Sequence, residues 1–376
     1  MKKIVVLIFL LLLFFHIYGN EVINTNQPLM GKWDFKPEKI WETDSAGNDP
    51  LIRISTLRID QNGNLFVFDM KTSRFHVYSP QGQFLYSFGK RGEGPGEYRM
   101  VFNFFIVKNK VVVPDMNKIH FFETSGKFIK TETFTGSIVF PRAFIDETRF
   151  VYIPSQPQNE GGDDKLELYD ISTGKKKLLG QVQAESVMAA TVSRQGGQAR
   201  INIKDANTTP GVIIGYYQNC LYFGKNNRYL IKKTDLNGKE LLSFSISDRK
   251  RNKITPEIKR KRLEGISLNG RKIPDDMIKQ LMKTMPDQCT HFNRIWVDNN
   301  GLIYVFVANL SDETGQQIDI FSPDGKFLNQ ANLTLPDGYK LQNKALTIKE
   351  NHLYVFAEDP DGEASLIKYL ILLPTG

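Results

Sequence analysis

The residues of this chain that could do chemistry are few and scattered. Four histidines follow the first twenty positions, His76, His120, His291 and His352, and there are two cysteines, Cys220 and Cys289. No H-E-x-x-H pair, paired-cysteine motif or EF-hand loop brings such groups to metal-ligand spacing. His76 and His120 each stand six residues before a turn glycine, Gly82 and Gly126, which gives them equivalent places in a repeated unit. Equivalent places on neighbouring units suit packing better than a shared ion. The run Gly92-Glu93-Gly94-Pro95-Gly96-Glu97 lacks the GK[ST] of a phosphate loop, and no helical pattern follows it. It reads as a tight connection whose glycines take backbone angles that other residues resist. No carboxylate pair or nucleophile–base set stands at a spacing that catalysis would need. The reading therefore assigns no catalytic residue, no metal and no cofactor.

Any binding site must then be assembled by the fold, and the fold is written as a repeat. Residues 57–89 read LRIDQNGNLFVFDMKTSRFHVYSPQGQFLYSFG, four short β-rich runs parted by turns at Asn62-Gly63, Asp69 to Ser73 and Pro80 to Gly82. The pattern returns at 104–134, near 142–180 and 212–246, and at 293–333, with turn glycines Gly126, Gly174, Gly238, Gly301 and Gly325. A sixth copy from residue 344 has only three strands. The β-like stretch 36–44, KPEKIWETD, supplies the fourth if the array closes into a ring, and closure removes edges that would otherwise aggregate. Setting aside the non-repeating residues 248–289, six units share the chain from residue 35 at 50 residues each, a normal blade size. The expected fold is all-β: a six-bladed β-propeller closed by an N-terminal strand in the last blade, with a short helical insertion between blades 4 and 5.

Three motifs carry a resemblance. They are D-x-x-G-x-[IL]-[YF]-V in blades 1 and 5, [SD]-P-x-G-x-F-L after them, and FGKRGEGPGEY behind blade 1. On these the chain resembles six-bladed propellers of the NHL and TolB-like type, above all the exported bacterial six-bladed β-propeller family. It departs from the strict NHL pattern in lacking the Asn-His-Leu triplet.

Lys2 and Lys3 precede the apolar run of residues 4–15, with small Gly19 at a cleavage position. Residues 1–19 read as a secretory signal peptide and 20–376 as the propeller. The run is shorter than the roughly 20 residues of a membrane span, so the expectation is an exported protein, periplasmic or extracellular, with no transmembrane segment. Of 49 Lys+Arg and 41 Asp+Glu, residues 248–283 hold 12 and 5, so most of the net charge of +8 sits in the insertion. Thr255 and Pro256 read as the cap and first residue of a helix. Pro274-Asp275-Asp276 opens a second, whose Met277, Ile278, Leu281, Met282 and Met285 form a stripe expected to pack on the propeller rim. Export argues against a nucleic-acid partner. Cys220 and Cys289 fall at opposite ends of an inner strand, about 20 Å apart and too far for a disulfide.

Aligning the inner strands on their first turns gives a ring of equivalent positions: Thr56, Asn103, Arg142, Ile213, Arg294 and Ala345. His291 and Asn293 lie on the same approach. The candidate ligand-binding set at the channel mouth is therefore Thr56, Asn103, Arg142, His291, Asn293 and Arg294. The two arginines would address an anionic or polyhydroxyl ligand, against the plainer account that each caps carbonyls or pairs with a nearby aspartate. The functional reading is a monomeric, non-enzymatic exported module that holds a protein or glycan. Its alternative is a metal-dependent propeller enzyme resembling lactonases or lyases, with ligands dispersed around the channel.

Overall fold

The computed structural model describes residues 20–43, 51–134, 140–154, 163–183, 192–194, 197–199, 206–264, 267–268, 271–310 and 315–375. The expected signal peptide lies outside them. Blade 1 is the antiparallel sheet of strands Ile54–Ile59, Leu65–Asp69, Arg74–Tyr78 and Phe84–Phe88, in chain order from the axis outward. Sheets within 105–133, 141–182, 212–246, 292–333 and 340–370 repeat it, which makes six blades. Six hydrophobic clusters lie between the blades, one at each seam. The second strand of a blade is covered on both faces, so Leu65–Asp69 and Ile303–Val307 are buried throughout and read as apolar runs, broken only by Asp69 at the end of the first.

The repeated motifs have local physical causes. Asp60 Oδ1 accepts the backbone N–H groups of Asn62 and Asn64 at 2.9 and 2.8 Å, closing the first turn. Asp298 does the same for Asn300 and Leu302, both at 2.9 Å. That is the work of the aspartate in D-x-x-G-x. His76 and His120 occupy matching places: Nδ1 of each meets a hydroxyl on the next strand, Ser87 at 2.9 Å and Thr131 at 2.8 Å.

The third-turn glycine does two things. Gly82 has φ +84°, and a Cβ there would stand 2.8 Å from the indole of Trp41, on the outermost strand of the preceding blade. Gly126 approaches Phe88 of blade 1 in the same way. The turn must be left-handed and must also lie flat against its neighbour. We expect Gly82→Ala to cost about 2–4 kcal/mol, from positive φ plus overpacking. Equilibrium urea unfolding measures this, and a cost below about 1 kcal/mol would show that the turn can move away.

Residues 20–43 run around the outside of half the ring. Asn20–Asn24 adds in parallel to the outermost strand of blade 4, Glu240–Ile246, and Lys32–Trp33 adds in parallel to Phe327–Leu333 of blade 5. Glu38–Glu42 pairs antiparallel with Ala364–Leu370 and is the fourth strand of blade 6. Asn24 staples two blades together: its Nδ2 donates to the carbonyls of Ser245 and Gly325, and its Oδ1 accepts Phe327 N–H at 2.8 Å.

Among the described residues there are two α-helices, both between blades 4 and 5: α1 at Pro256–Glu264 and α2 at Asp275–Thr284. Thr255 Oγ1 caps α1 through Ile258 N–H at 3.4 Å. The apolar stripe of α2 differs from the expectation. Met277, Ile278, Leu281 and Met285 pack on Leu263 and Ile273 into a small core of the insertion's own, instead of lying on the rim. Lys259, buried on α1, closes it by donating to Met285 O at 2.9 Å and pairing with Asp287 at 2.6 Å. A cation at the carbonyl end of α2 is favoured by the helix dipole. No disulfide joins Cys220 and Cys289.

Candidate functional site

The inner strands carry three arginines, Arg58, Arg142 and Arg294. Arg294, on Phe292–Val297 of blade 5, reaches across to blade 6, where its Nη1 donates to Leu346 O at 2.9 Å. Its guanidinium lies 5.3 Å from the centre of the Phe306 ring. Arg58, on the inner strand of blade 1, spans the next seam but one, donating from Nη2 to Asn103 Oδ1 at 2.9 Å and from Nη1 to Leu57 O. It lies 5.8 Å from the Phe104 ring centre. Both groups are pulled down to about 10 from an ordinary 12.5 by burial, and the charge of Arg294 lowers Arg58 further. Among the described residues Arg58 has no ion pair. Its partners are a carbonyl and an amide oxygen, which orient a guanidinium without neutralising it.

Arg142 stands on Pro141–Phe144 of blade 3 and is exposed to solvent, yet the surrounding walls lower its pKa through desolvation. Asn103 joins the arginine set directly, since its Oδ1 also accepts Phe104 N–H. Thr56 is half-buried opposite Phe68.

His291 and Asn293 are built into the seam between blades 4 and 5. The His291 ring meets Tyr229 edge-on at 5.9 Å, and its buried Nδ1 has no hydrogen-bond partner among the described residues. Burial, together with Arg251 and Arg249, lowers it to about 4, so it is neutral at physiological pH. Asn293 Nδ2 donates to Asn207 Oδ1 at 2.6 Å and helps hold the segment leading into blade 4.

Arg58 is absent from the sequence-derived ring. The signal was present, because it stands two residues beyond Thr56 on the same strand and so on the same face. A second group also went unseen. Asp319, fully buried on blade 5, accepts from Arg249 Nη2 at 2.6 Å and Tyr229 Oη at 2.8 Å. Arg249 also donates to Asn26 of the N-terminal segment at 3.0 Å. This network ties the base of the insertion, the N-terminal segment and blade 5 together. Among the described residues no group of three or more His, Cys, Asp or Glu side chains gathers in the manner of a metal site.

The sheets together define a six-bladed β-propeller. The chain belongs to the DUF5128 family, described as a 6-bladed beta-propeller, whose pattern matches residues 46–267. No curated protein matches it. Among solved structures it is similar to a member of the DUF4221 family from Bacteroides vulgatus ATCC 8482, with 12% identity, TM-score 0.60, and 91% of this chain and 99% of that one covered. It is also similar to a Bacteroides fragilis NCTC 9343 protein whose name marks it as a candidate for export. That match has 12% identity and TM-score 0.53, and covers 94% of this chain and 100% of that one. At such identities the likeness is one of fold.

Proposed function

We propose that this protein is an exported, non-enzymatic binding module that takes an anionic group of a protein or glycan partner at the axis of its propeller. In this reading residues 1–19 direct export, 20–376 form the mature module, and 248–289 are a basic flap beside the site. Asn103, Arg142 and Arg294 from the sequence-derived set, with Arg58 added, meet the ligand. Thr56 lines the approach, while His291 and Asn293 shape its wall. Export is supported by the lysine-flanked apolar run of residues 4–15 and by the name of one structural neighbour. No helix among the described residues is long and apolar enough to cross a membrane.

The observation that carries the reading is the pair Arg58 and Arg294, half-buried and each held by an oxygen of the neighbouring blade. Each has a folded-state pKa of about 10, below the ordinary 12.5, so at every pH below about 10 the folded protein holds two guanidinium ions in a less favourable setting than water. That cost is present at neutral pH and is relieved only above pH 10. A carboxylate or phosphate between the two groups would relieve it at neutral pH. The predicted consequence is a trade between stability and binding. Arg58→Met keeps the stem over Phe104 and removes the charge, and is expected to stabilise the unliganded protein by about 1–2 kcal/mol. Galacturonate should raise the melting temperature of the wild type and leave that of Arg58→Met unmoved. A destabilised Arg58→Met, or equal responses of the two proteins to the anion, would refute the axial site.

A further inference from the structure

The face that carries the blade-to-blade crossings is apolar and basic at once over blades 1 to 3. Ile52, Met70, Met100, Phe102 and Phe140 expose between 39% and 56% of their surface there. They share one end of these blades. Phe102 and Phe140 stand on successive crossings with ring centres 5.7 Å apart, edge to face. Met70 N–H donates to Arg53 O at 2.9 Å, and Tyr98 Oη donates to Ser73 O at 2.9 Å, which joins the Met70 turn to the crossing that bears Met100 and Phe102. The apolar positions have cations beside them: Arg53 follows Ile52, Lys71 follows Met70, and Arg142 is two residues from Phe140, while Arg99, before Met100, already pairs with Glu93 at 3.7 Å.

Among the described residues Glu93 and Glu97 of the first crossing pair with Arg99 and Lys90, at 3.7 and 2.8 Å, and two aspartates bond to backbone. Asp69 is fully buried and accepts the N–H groups of Ile52 and Arg53 at 2.9 and 3.2 Å. Asp115 accepts those of Arg99 and Met100 at 2.8 and 3.1 Å. These bonds spend the two carboxylates on backbone and fix the crossings as a rigid, low surface. Five large exposed apolar side chains on one rigid surface are more than solvation explains.

We infer that the crossing face of blades 1 to 3 docks an acidic polypeptide segment, whose apolar side chains cover the Phe102–Phe140 pair and whose carboxylates meet Arg142 and Arg53. This rests on the binding-module reading and supplies the class of partner. Three observations favour a polypeptide. Aromatic residues, methionine and arginine are the types enriched in the cores of protein interfaces. A glycan would ask for more hydrogen-bonding side chains than this apolar stretch presents. A membrane would ask for side chains that project from loop tips, whereas these two rings lean on each other and their crossings are pinned from beneath.

The test is a random dodecapeptide library panned on the whole protein and, in parallel, on Phe102→Ala/Phe140→Ala and on Arg53→Glu. Both variants change exposed side chains and leave the seams intact, and thermal melts verify this. Selected peptides should share acidic residues next to a large apolar one, and either variant should bind them at least about tenfold more weakly. Polygalacturonate and vesicles of phosphatidylglycerol with phosphatidylethanolamine are the other arms. No consensus sequence, or a consensus bound equally by both variants, overturns the inference. So does tighter, Phe102-dependent binding of polygalacturonate or vesicles. The galacturonate response of Arg58→Met is read separately, so failure on this face is distinguishable from failure at the axis.

Discussion

A chain that begins at residue 44 is expected to lose cooperative unfolding and to aggregate at concentrations where the intact protein stays in solution. Three features set the size of the effect. Glu38–Glu42 supplies the fourth strand of blade 6, and without it the edge of Ala364–Leu370 lies open. Trp41 goes with it, and with Trp41 go the indole that covers Gly82 and its 2.9 Å bond from Nε1 to Pro80 O, so the seam between blades 6 and 1 is stripped. The parallel strands on blades 4 and 5 and the Asn24 staple are lost as well. The combined loss should reach about 5 kcal/mol or more, the scale of a domain's whole stability. Calorimetry and light scattering on the two chains decide it. A truncated chain that melts within a few degrees of the intact one would show that the ring holds without its N-terminal segment.

The second large effect is expected at Asp319. Its carboxyl lies fully buried, and burial raises its pKa despite the opposing influence of Arg249 and Tyr229. Asp319→Ala leaves the Arg249 guanidinium without its anion and the Tyr229 hydroxyl without its acceptor, and should cost about 3–5 kcal/mol. The double change Asp319→Leu/Arg249→Met replaces both members of the pair with apolar groups and should recover most of that loss. Urea unfolding of the single and double variants forms the measurement. A single change costing less than about 1 kcal/mol, or a double change no better than the single one, would mean that the pair is not what holds the insertion's base.

The blade repeats were legible in the sequence because their causes are local. The Asp60 and Asp298 turns, the third-turn glycines and the buried second strands each leave a mark within a few residues. The start of α1 at Thr255 and Pro256 was legible for the same reason. Asn20–Asn24 and Lys32–Trp33 were not, since a parallel strand added to an outer edge is chosen by that edge and its few residues carry no periodic signal. The stripe on α2 showed that one face is buried but could not show against what, and the partner proved to be Leu263 and Ile273. Alignment on the turns selects Arg294 and Asn103 from the inner strands. It passed over Arg58 because a ring of equivalent positions samples a single layer, and the guanidinium nearest in charge to Arg294 stands one layer on.

The seating of Gly82 beneath Trp41 and of Gly126 beneath Phe88 has a consequence for how such a molecule can change in evolution. Gly238 and Gly325 sit in the same way against Leu179 and Phe244, so blades 1, 2, 4 and 5 each mesh with the blade before them, as gear teeth do, and in one rotational sense. A duplicated or deleted unit preserves that meshing only if it is cut at whole-repeat boundaries in the same phase. The junction between blades 6 and 1 is different, because its tooth comes from the opposite terminus of the gene. A lineage that gains or loses a blade must therefore splice elsewhere in the ring and leave that junction as it found it.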